Sequence, residues 1–164
     1  ERYLLFVGTV EPRKNLKGLI AALEHLDDPP LLVVAGAAGW GDAGGEPHPG
    51  VQFLGFIPGE DLGGLYAGAS VFCYPSTREG YGLPVLEAMA QGTPVVTSKG
   101  SATEEVAGDA AVLVDPLDPA DIARGLDEAA RRSADLSARG LARAKRRSWA
   151  TTADLTVAAY KELL

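Results

Sequence analysis

The sequence has few of the residue types that build disulfide scaffolds and metal centres. Its 164 residues include one cysteine, Cys73, and two histidines, His25 and His48. A single cysteine excludes an intramolecular disulfide, so nothing in the sequence requires an oxidising compartment. We expect Cys73, which lies inside an apolar run, to be a small core residue. Two histidines cannot complete a metal site alone, and no Asp-x-Asp pair adds carboxylates.

Long apolar runs and excess positive charge are also missing. The longest apolar stretch, residues 31–39, is shorter than the roughly 18 residues of a membrane span. The net charge of −7 disfavours nucleic acid as a partner. No signal peptide is apparent, and the only methionine is Met89, so we expect a piece of a longer, cytoplasmic protein. The length fits one domain, residues 1–164.

Short apolar runs alternate with segments of helical spacing along the whole chain. Short apolar runs predict six strands at residues 3–7, 31–35, 51–54, 71–74, 94–97 and 111–114, of which the first two are expected to be buried. Asn15 is a plausible N-cap of the first helix, and Pro29 and Pro30 are expected to stop it. Helix is predicted beyond Asp118, with a break near residues 148–149. This alternation predicts an α/β fold with a doubly wound parallel sheet, in which ligands bind at the carboxyl ends of the strands.

The common signatures of such sheets are absent. The first strand is not followed by Gly-x-Gly-x-x-Gly, which disfavours a dinucleotide-binding fold. There is no phosphate loop with its Lys-Ser/Thr, and no Gly-x-Ser-x-Gly nucleophile elbow. The fold alone therefore does not give the function.

The informative segment is residues 75–87, which runs from a strand end through a glycine-rich turn into a helix. Gly80 and Gly82 allow close approach of the backbone, and the start of a helix can hold an anion such as a diphosphate. Glu79 precedes the glycine-rich turn. Glu87 is expected on the first turn of the helix, with its side chain directed back toward the helix start and the same site as Glu79. Carboxylates on both sides of a phosphate cradle fit a ligand with a central phosphate and hydroxyl-bearing sugars on either side.

Glu79-x7-Glu87 around Gly-Tyr-Gly-Leu-Pro resembles the signature of the retaining group 1 glycosyltransferases of the GT-B fold, family four. The resemblance extends over the whole chain. Glu-Pro-Arg-Lys-Asn at residues 11–15 looks like a variant found in branches that include mannosyl- and rhamnosyltransferases, and the chain is taken as mannosyltransferase-like. The other segments that carry it are Val7-Gly8-Thr9-Val10-Glu11-Pro12-Arg13-Lys14-Asn15, Phe53-Leu54-Gly55-Phe56, Gly92-Thr93-Pro94-Val95-Val96 and the run at residues 108–116.

The resemblance implies a role for each matching residue. Glu79 would contact the hydroxyls of the donor sugar, Glu87 the nucleotide ribose, and Arg13 and Lys14 the diphosphate. Many members carry an arginine directly after the first-strand glycine, where this chain has Thr9, so the phosphate role rests on Arg13 and Lys14. The further donor-binding positions implied are Gly8, Gly55, Phe56, Gly80, Tyr81, Gly82 and Leu83.

The implied activity is retaining transfer of a hexose from a GDP- or UDP-linked donor, without a metal or cofactor. The acceptor would bind an N-terminal domain that the chain lacks, so the fragment alone should be inactive. A non-catalytic nucleotide-sugar-binding module and a GT-B-fold epimerase or phosphorylase are the alternatives. The sequence does not determine the nucleotide base, the donor sugar or the acceptor.

Plainer interpretations stand beside these roles. Arg13 and Lys14 could form a solvated basic loop, and Glu79 and Glu87 could be a surface carboxylate and a residue favoured by the helix dipole, contributing little to the core. Phe56 could be a core residue or a base contact, and Trp40 a packing or ligand-contacting residue. Tyr66 is expected to pack. The basic cluster Arg143, Lys145, Arg146 and Arg147 is expected to be a solvated helix face rather than a peripheral membrane contact.

Overall fold

The computed structural model describes residues 2–39 and 48–163, so the prediction for Trp40 lies outside the described residues. The strands are β1 (Tyr3–Val7), β2 (Leu31–Ala35), β3 (Val51–Gly55), β4 (Val71–Tyr74), β5 (Val95–Ser98) and β6 (Val112–Val114). The helices are α1 (Leu16–Leu23), α2 (Gly59–Gly68), α3 (Leu83–Ala90), α4 (Ala102–Ala107), α5 (Pro119–Arg131), α6 (Ser133–Lys145) and α7 (Trp149–Glu162). Short 3₁₀ helices occur at Pro12–Lys14 and Gly108–Ala110.

All six strands are parallel, in the order β3-β2-β1-β4-β5-β6. The chain winds outward from β1 in one direction and from β4 in the other, so the topological switch point lies between these two strands. The loops after β1 and β4 therefore meet at the carboxyl edge of the sheet. The predicted doubly wound parallel α/β sheet is confirmed.

Helices cover both faces of the sheet. α1 packs against α5, which lies across β4, β5 and β6, while α2, α4 and α6 pack around α3. The inner strands are buried apart from the first residues of β1 and β2, because both faces are covered. Cys73 is fully buried, as expected. β3 is an edge strand and exposes Phe53 and Leu54.

The start of α1 differs from the prediction. Asn15 stands at the N-cap position, but its backbone is left-handed, with φ of 56°, and its side chain does not cap the helix. Its Nδ2 instead donates to the carbonyl of Pro116, which fixes the loop after β1 against the loop after β6. The helix also ends at Leu23, before the proline pair.

Three further helical details differ. Glu87 is the fifth residue of α3 and lies on its second turn rather than its first. α4 was not predicted, and Arg132 separates α5 from α6. The predicted break before Trp149 is confirmed, since Ser148 Oγ accepts a hydrogen bond from the Thr151 amide at 3.1 Å.

Candidate functional site

The loops after β1 and β4 are bonded to each other at the switch point. The carbonyl of Arg13 accepts a hydrogen bond from the Thr77 amide at 2.8 Å. Ser76 Oγ lies 2.9 Å from the same carbonyl. The segment that carries the predicted cations and the segment that carries Glu79 are thus held as one unit.

Glu79 is the centre of this unit. Its Oε1 accepts hydrogen bonds from Lys14 Nζ at 2.7 Å, Ser76 Oγ at 2.7 Å and Tyr74 OH at 2.9 Å. Its Oε2 accepts one from Arg13 at 3.0 Å. The side chain is only 8% exposed, so the interpretation of Glu79 as a surface carboxylate is wrong. Burial by itself raises the pKa of Glu79, but the hydrogen bonds from Lys14, Ser76 and Tyr74 outweigh it, and the pKa is lowered.

Lys14 and Arg13 differ in their surroundings. Lys14 is buried, and its Nζ donates to the Tyr74 hydroxyl as well as to Glu79. The Arg13 side chain is 42% exposed and forms a second ion pair, from Nε to Glu11 Oε2, at 2.8 Å. A solvated basic loop therefore describes Arg13 in part and is wrong for Lys14.

The charges of this cluster balance. Arg13 and Lys14 contribute two positive charges, and Glu11 and Glu79 two negative ones. Two cations directly before a helix oppose its dipole, and Glu79 lies where it offsets them. Any anion bound at this cluster would therefore compete with Glu11 and Glu79 for the two cations.

Two glycines allow the close packing around the cluster. Gly36, at the end of β2, has φ of 152°, and a Cβ there would lie 2.0 Å from the carbonyl oxygen of Gly8. Gly82, the N-cap of α3, has φ of 105°, and a Cβ there would lie 2.8 Å from Thr103 of α4. A side chain at either place would push apart the loops that line the edge.

Glu87 lies on the exposed side of α3. Its Oε2 accepts a hydrogen bond from Tyr66 OH at 2.8 Å. Tyr66 is buried in α2, so the expectation that it packs is confirmed, but its hydroxyl also binds a predicted site residue.

The glycine-rich turn connects the two glutamates. Gly80, Tyr81 and Leu83 are exposed there, while Gly82 is buried. Gly8 lies against Tyr74 and Lys14, since a Cβ built on it would lie 3.8 Å from the tyrosine ring and 3.9 Å from Lys14 Cε. The structure thus brings together Gly8, Arg13, Lys14 and Glu79, and the turn after Glu79 leads into α3, which carries Glu87.

Gly55 and Phe56 lie outside this cluster, at the end of β3 on the same edge. The Gly55 carbonyl accepts a hydrogen bond from the Gly36 amide at 2.8 Å, which joins this loop to the end of β2. β3 and β4 are three strand positions apart, or about 14 Å at the usual strand spacing. Phe56 is 77% exposed, so the interpretation as a core residue is wrong.

Sequence reasoning missed Tyr74 and Ser76, and the second role of Tyr66. One signal was available, because a buried phenol needs a hydrogen-bond partner. Tyr74 ends a strand whose other residues are apolar, directly before the loop that carries Glu79. The hydrogen-bond partner of the Tyr74 hydroxyl could therefore be sought in that loop.

Other site types find no support in residues 2–39 and 48–163. No group of three or more metal-binding side chains occurs among these residues. No helix in this part of the chain is long and apolar enough to cross a bilayer. In the basic cluster, Arg143 and Arg147 donate to backbone carbonyls of α4, and Lys145 and Arg146 are exposed.

The comparisons with known proteins agree with this geometry. A family model described as "Glycosyl transferases group 1" matches residues 1–147. The chain is 42% identical to O-antigen chain mannosyltransferase B of Escherichia coli, across 98% of this chain and 46% of that protein. It belongs to the group 1 glycosyltransferases, and the resemblance to this family and to its mannosyltransferases is confirmed.

Solved structures show the same fold. Sucrose-phosphate synthase of Thermosynechococcus elongatus matches with a TM-score of 0.84 at 26% identity, across 99% of this chain and 45% of that one. HepE of Anabaena, solved in complex with UDP-glucose, matches with a TM-score of 0.81 at 24% identity, across 99% and 49%. The chain therefore has one half of the GT-B architecture. It spans about half the length of the relatives it matches.

Proposed function

We propose that residues 1–164 are the donor-binding domain of a two-domain retaining glycosyltransferase. The donor is a hexose linked to GDP or UDP, with mannose suggested by the relatives, and the acceptor is a glycan, a lipid or another molecule held by an N-terminal domain. The observation that carries the proposal is the cluster of Arg13, Lys14 and Glu79 at the switch point. It sets two cations and one ionised carboxylate at the edge of the sheet where such folds bind ligands.

In this proposal the cations stabilise the leaving group. The bond from the anomeric carbon to the diphosphate breaks, and negative charge grows on the phosphate oxygen that Arg13, Lys14 and the amides of Tyr81 to Leu83 would face. The acceptor oxygen attacks from the same face of the sugar, and its proton passes to that phosphate oxygen. Neither a protein nucleophile nor a metal is then needed.

Glu79 suits the role of holding the sugar. Its lowered pKa keeps the carboxylate ionised at neutral pH, so it accepts hydrogen bonds from sugar hydroxyls. Its negative charge also favours the positive charge that develops on the sugar ring.

We expect the 164-residue chain to bind a nucleoside diphosphate weakly and without a metal. Calorimetric titration with GDP, UDP and dTDP, each in the presence and absence of EDTA, tests this and ranks the bases. The chain should not transfer sugar, because in the proposal the acceptor side of the cleft is missing. Binding that requires a divalent cation, or robust transfer by the chain alone, would contradict the proposal.

Glu87→Ala should weaken the nucleoside diphosphate even when no sugar is attached, because the proposed partner of Glu87 is the ribose. Hydroxyl-to-carboxylate bonds contribute about 1.5–3 kcal/mol, or roughly a ten- to hundredfold change in affinity. Calorimetry with the preferred nucleotide measures the loss. Glu24→Ala is the matched control, since Glu24 is an exposed glutamate at the far end of α1. Equal losses in the two variants would exclude the ribose role.

A further inference from the structure

Tyr66 is a buried side chain whose one polar group, the phenolic hydroxyl, is directed at Glu87. The residue is 2% exposed, and its hydroxyl donates to Glu87 Oε2 at 2.8 Å. Burial raises the pKa of the phenol, and the neighbouring Glu87 raises it further. The hydroxyl is therefore a protonated donor at neutral pH.

The ring of Tyr66 is held from several sides. It packs edge-on against Phe72 of β4, with ring centres 5.3 Å apart and planes at 74°. Its own carbonyl accepts a hydrogen bond from Thr93 Oγ1 at 2.6 Å, which ties the end of α2 to the loop after α3. The position of the hydroxyl relative to α3 is thus set by the core.

Glu87 depends on this contact more than Glu79 depends on any one of its partners. Glu79 accepts hydrogen bonds from four side chains and is nearly buried. Glu87 lies on the exposed side of α3, where a long carboxylate side chain samples several rotamers unless something holds it. The bond from Tyr66 occupies one oxygen and leaves acceptor sites of the carboxylate for a ligand.

We propose that Tyr66 is a positioning residue that orients the Glu87 carboxylate toward the ribose hydroxyls of the donor nucleotide. The inference rests on the proposed function, because it needs Glu87 to contact the ribose. Tyr66 itself touches no ligand in this account. It lowers the entropy that Glu87 loses when the nucleotide binds.

The readout is ribose discrimination, the ratio of the Kd for the 2′,3′-dideoxynucleoside diphosphate to the Kd for the ribonucleotide. It is measured by calorimetry on the 164-residue chain with the nucleotide base that binds best. Tyr66→Phe keeps the ring and removes only the hydroxyl. We expect the ribonucleotide to bind roughly tenfold more weakly, the dideoxynucleotide to bind as before, and the ratio to fall toward one.

Tyr74→Phe is the matched control. It removes a hydroxyl from the same buried aromatic row, in which Tyr74 stacks on Phe72 with ring centres 5.8 Å apart. Because Tyr74 contacts Lys14 and Glu79, its loss can change affinity for both nucleotides, but the ratio between them should stay at the wild-type value. In Tyr66→Phe/Glu87→Ala, the tyrosine change should add nothing to the loss from Glu87→Ala.

The outcomes separate this inference from the proposed function. Equal weakening of both nucleotides by Tyr66→Phe means a structural role, and unchanged affinity for both nucleotides means no role. Either result overturns the inference alone, provided Glu87→Ala abolishes discrimination. If Glu87→Ala leaves the ratio unchanged, the ribose assignment fails and the inference fails with it. Thermal unfolding of each variant shows whether a loss reflects unfolded protein.

Discussion

Arg13→Ala combined with Lys14→Met should reduce affinity for a nucleoside diphosphate by roughly a hundredfold and leave affinity for the nucleoside almost unchanged. Each charge-assisted contact contributes about 1.5–3 kcal/mol. The lower end applies, because both cations already bind Glu79 and the diphosphate gains only the difference. Methionine at position 14 preserves the buried stem while removing the charge. Calorimetry with the diphosphate and the nucleoside measures the two affinities.

A control for this prediction follows from the charge balance. The double variant leaves Glu79 without its cations, so the loop after β4 could shift and lower the affinity indirectly. Adding Glu79→Gln removes the unpaired carboxylate, so that positions 13, 14 and 79 carry no charge. If the loss reflects missing phosphate contacts, the triple variant stays weak. Recovery of diphosphate binding in the triple variant would mean that Arg13 and Lys14 do not hold the phosphates.

Most of the fold could be predicted because its signals are local. Parallel strands of such a sheet are short apolar runs, and the six predicted runs correspond to β1–β6. The end of α1 was harder to predict from the sequence, because Leu26 continues the apolar pattern beyond the helix and still packs on the core. α4 has six residues, too few to show a helical period.

The candidate site was predictable as a set of residues but not as a network. The motif predicted that Arg13, Lys14, Glu79 and Glu87 belong to one site. Their hydrogen-bond and ion-pair partners depend on which strands are neighbours in the sheet. Lys14 and Glu79 are 65 positions apart and meet only because β1 pairs with β4. The ion pairs with Glu79, and the burial that follows from them, are consequences of that pairing.

Glu79→Gln should lower the free energy of unfolding by about 3 kcal/mol at neutral pH, because it leaves the buried Lys14 without its counter-ion. The loss should depend on pH. The folded-state pKa of Glu79 lies below its usual value of 4.5, so the carboxylate stabilises the fold above that value and ceases to do so as the pH falls through the folded pKa. Denaturant unfolding of wild type and variant, from neutral pH down through the folded pKa of Glu79, should therefore give stability curves that converge in acid.

Glu11→Gln is the control for stability. Glu11 pairs with Arg13, whose side chain is 42% exposed, and such pairs contribute about 1 kcal/mol or less. Similar losses in the two variants, or a loss from Glu79→Gln that persists unchanged into acid, would show that the Lys14–Glu79 pair is not what stabilises the loop.

Glu79→Gln should have different effects on the affinity for the free nucleoside diphosphate and on the affinity for the sugar nucleotide. Glu79 competes with the diphosphate for Arg13 and Lys14, so without its charge the free nucleoside diphosphate should bind as tightly as before or more tightly. The sugar nucleotide should lose the extra affinity that its sugar provides, because in the proposal the carboxylate is the group that binds the sugar hydroxyls. In the full-length enzyme, turnover should fall more than donor binding, since the same contact orients the reacting ring. Calorimetry with nucleotide and sugar nucleotide, at a temperature where the variant is folded, tests this. A variant that loses both ligands equally would show that Glu79 serves only to hold the loop, and the sugar would need another partner.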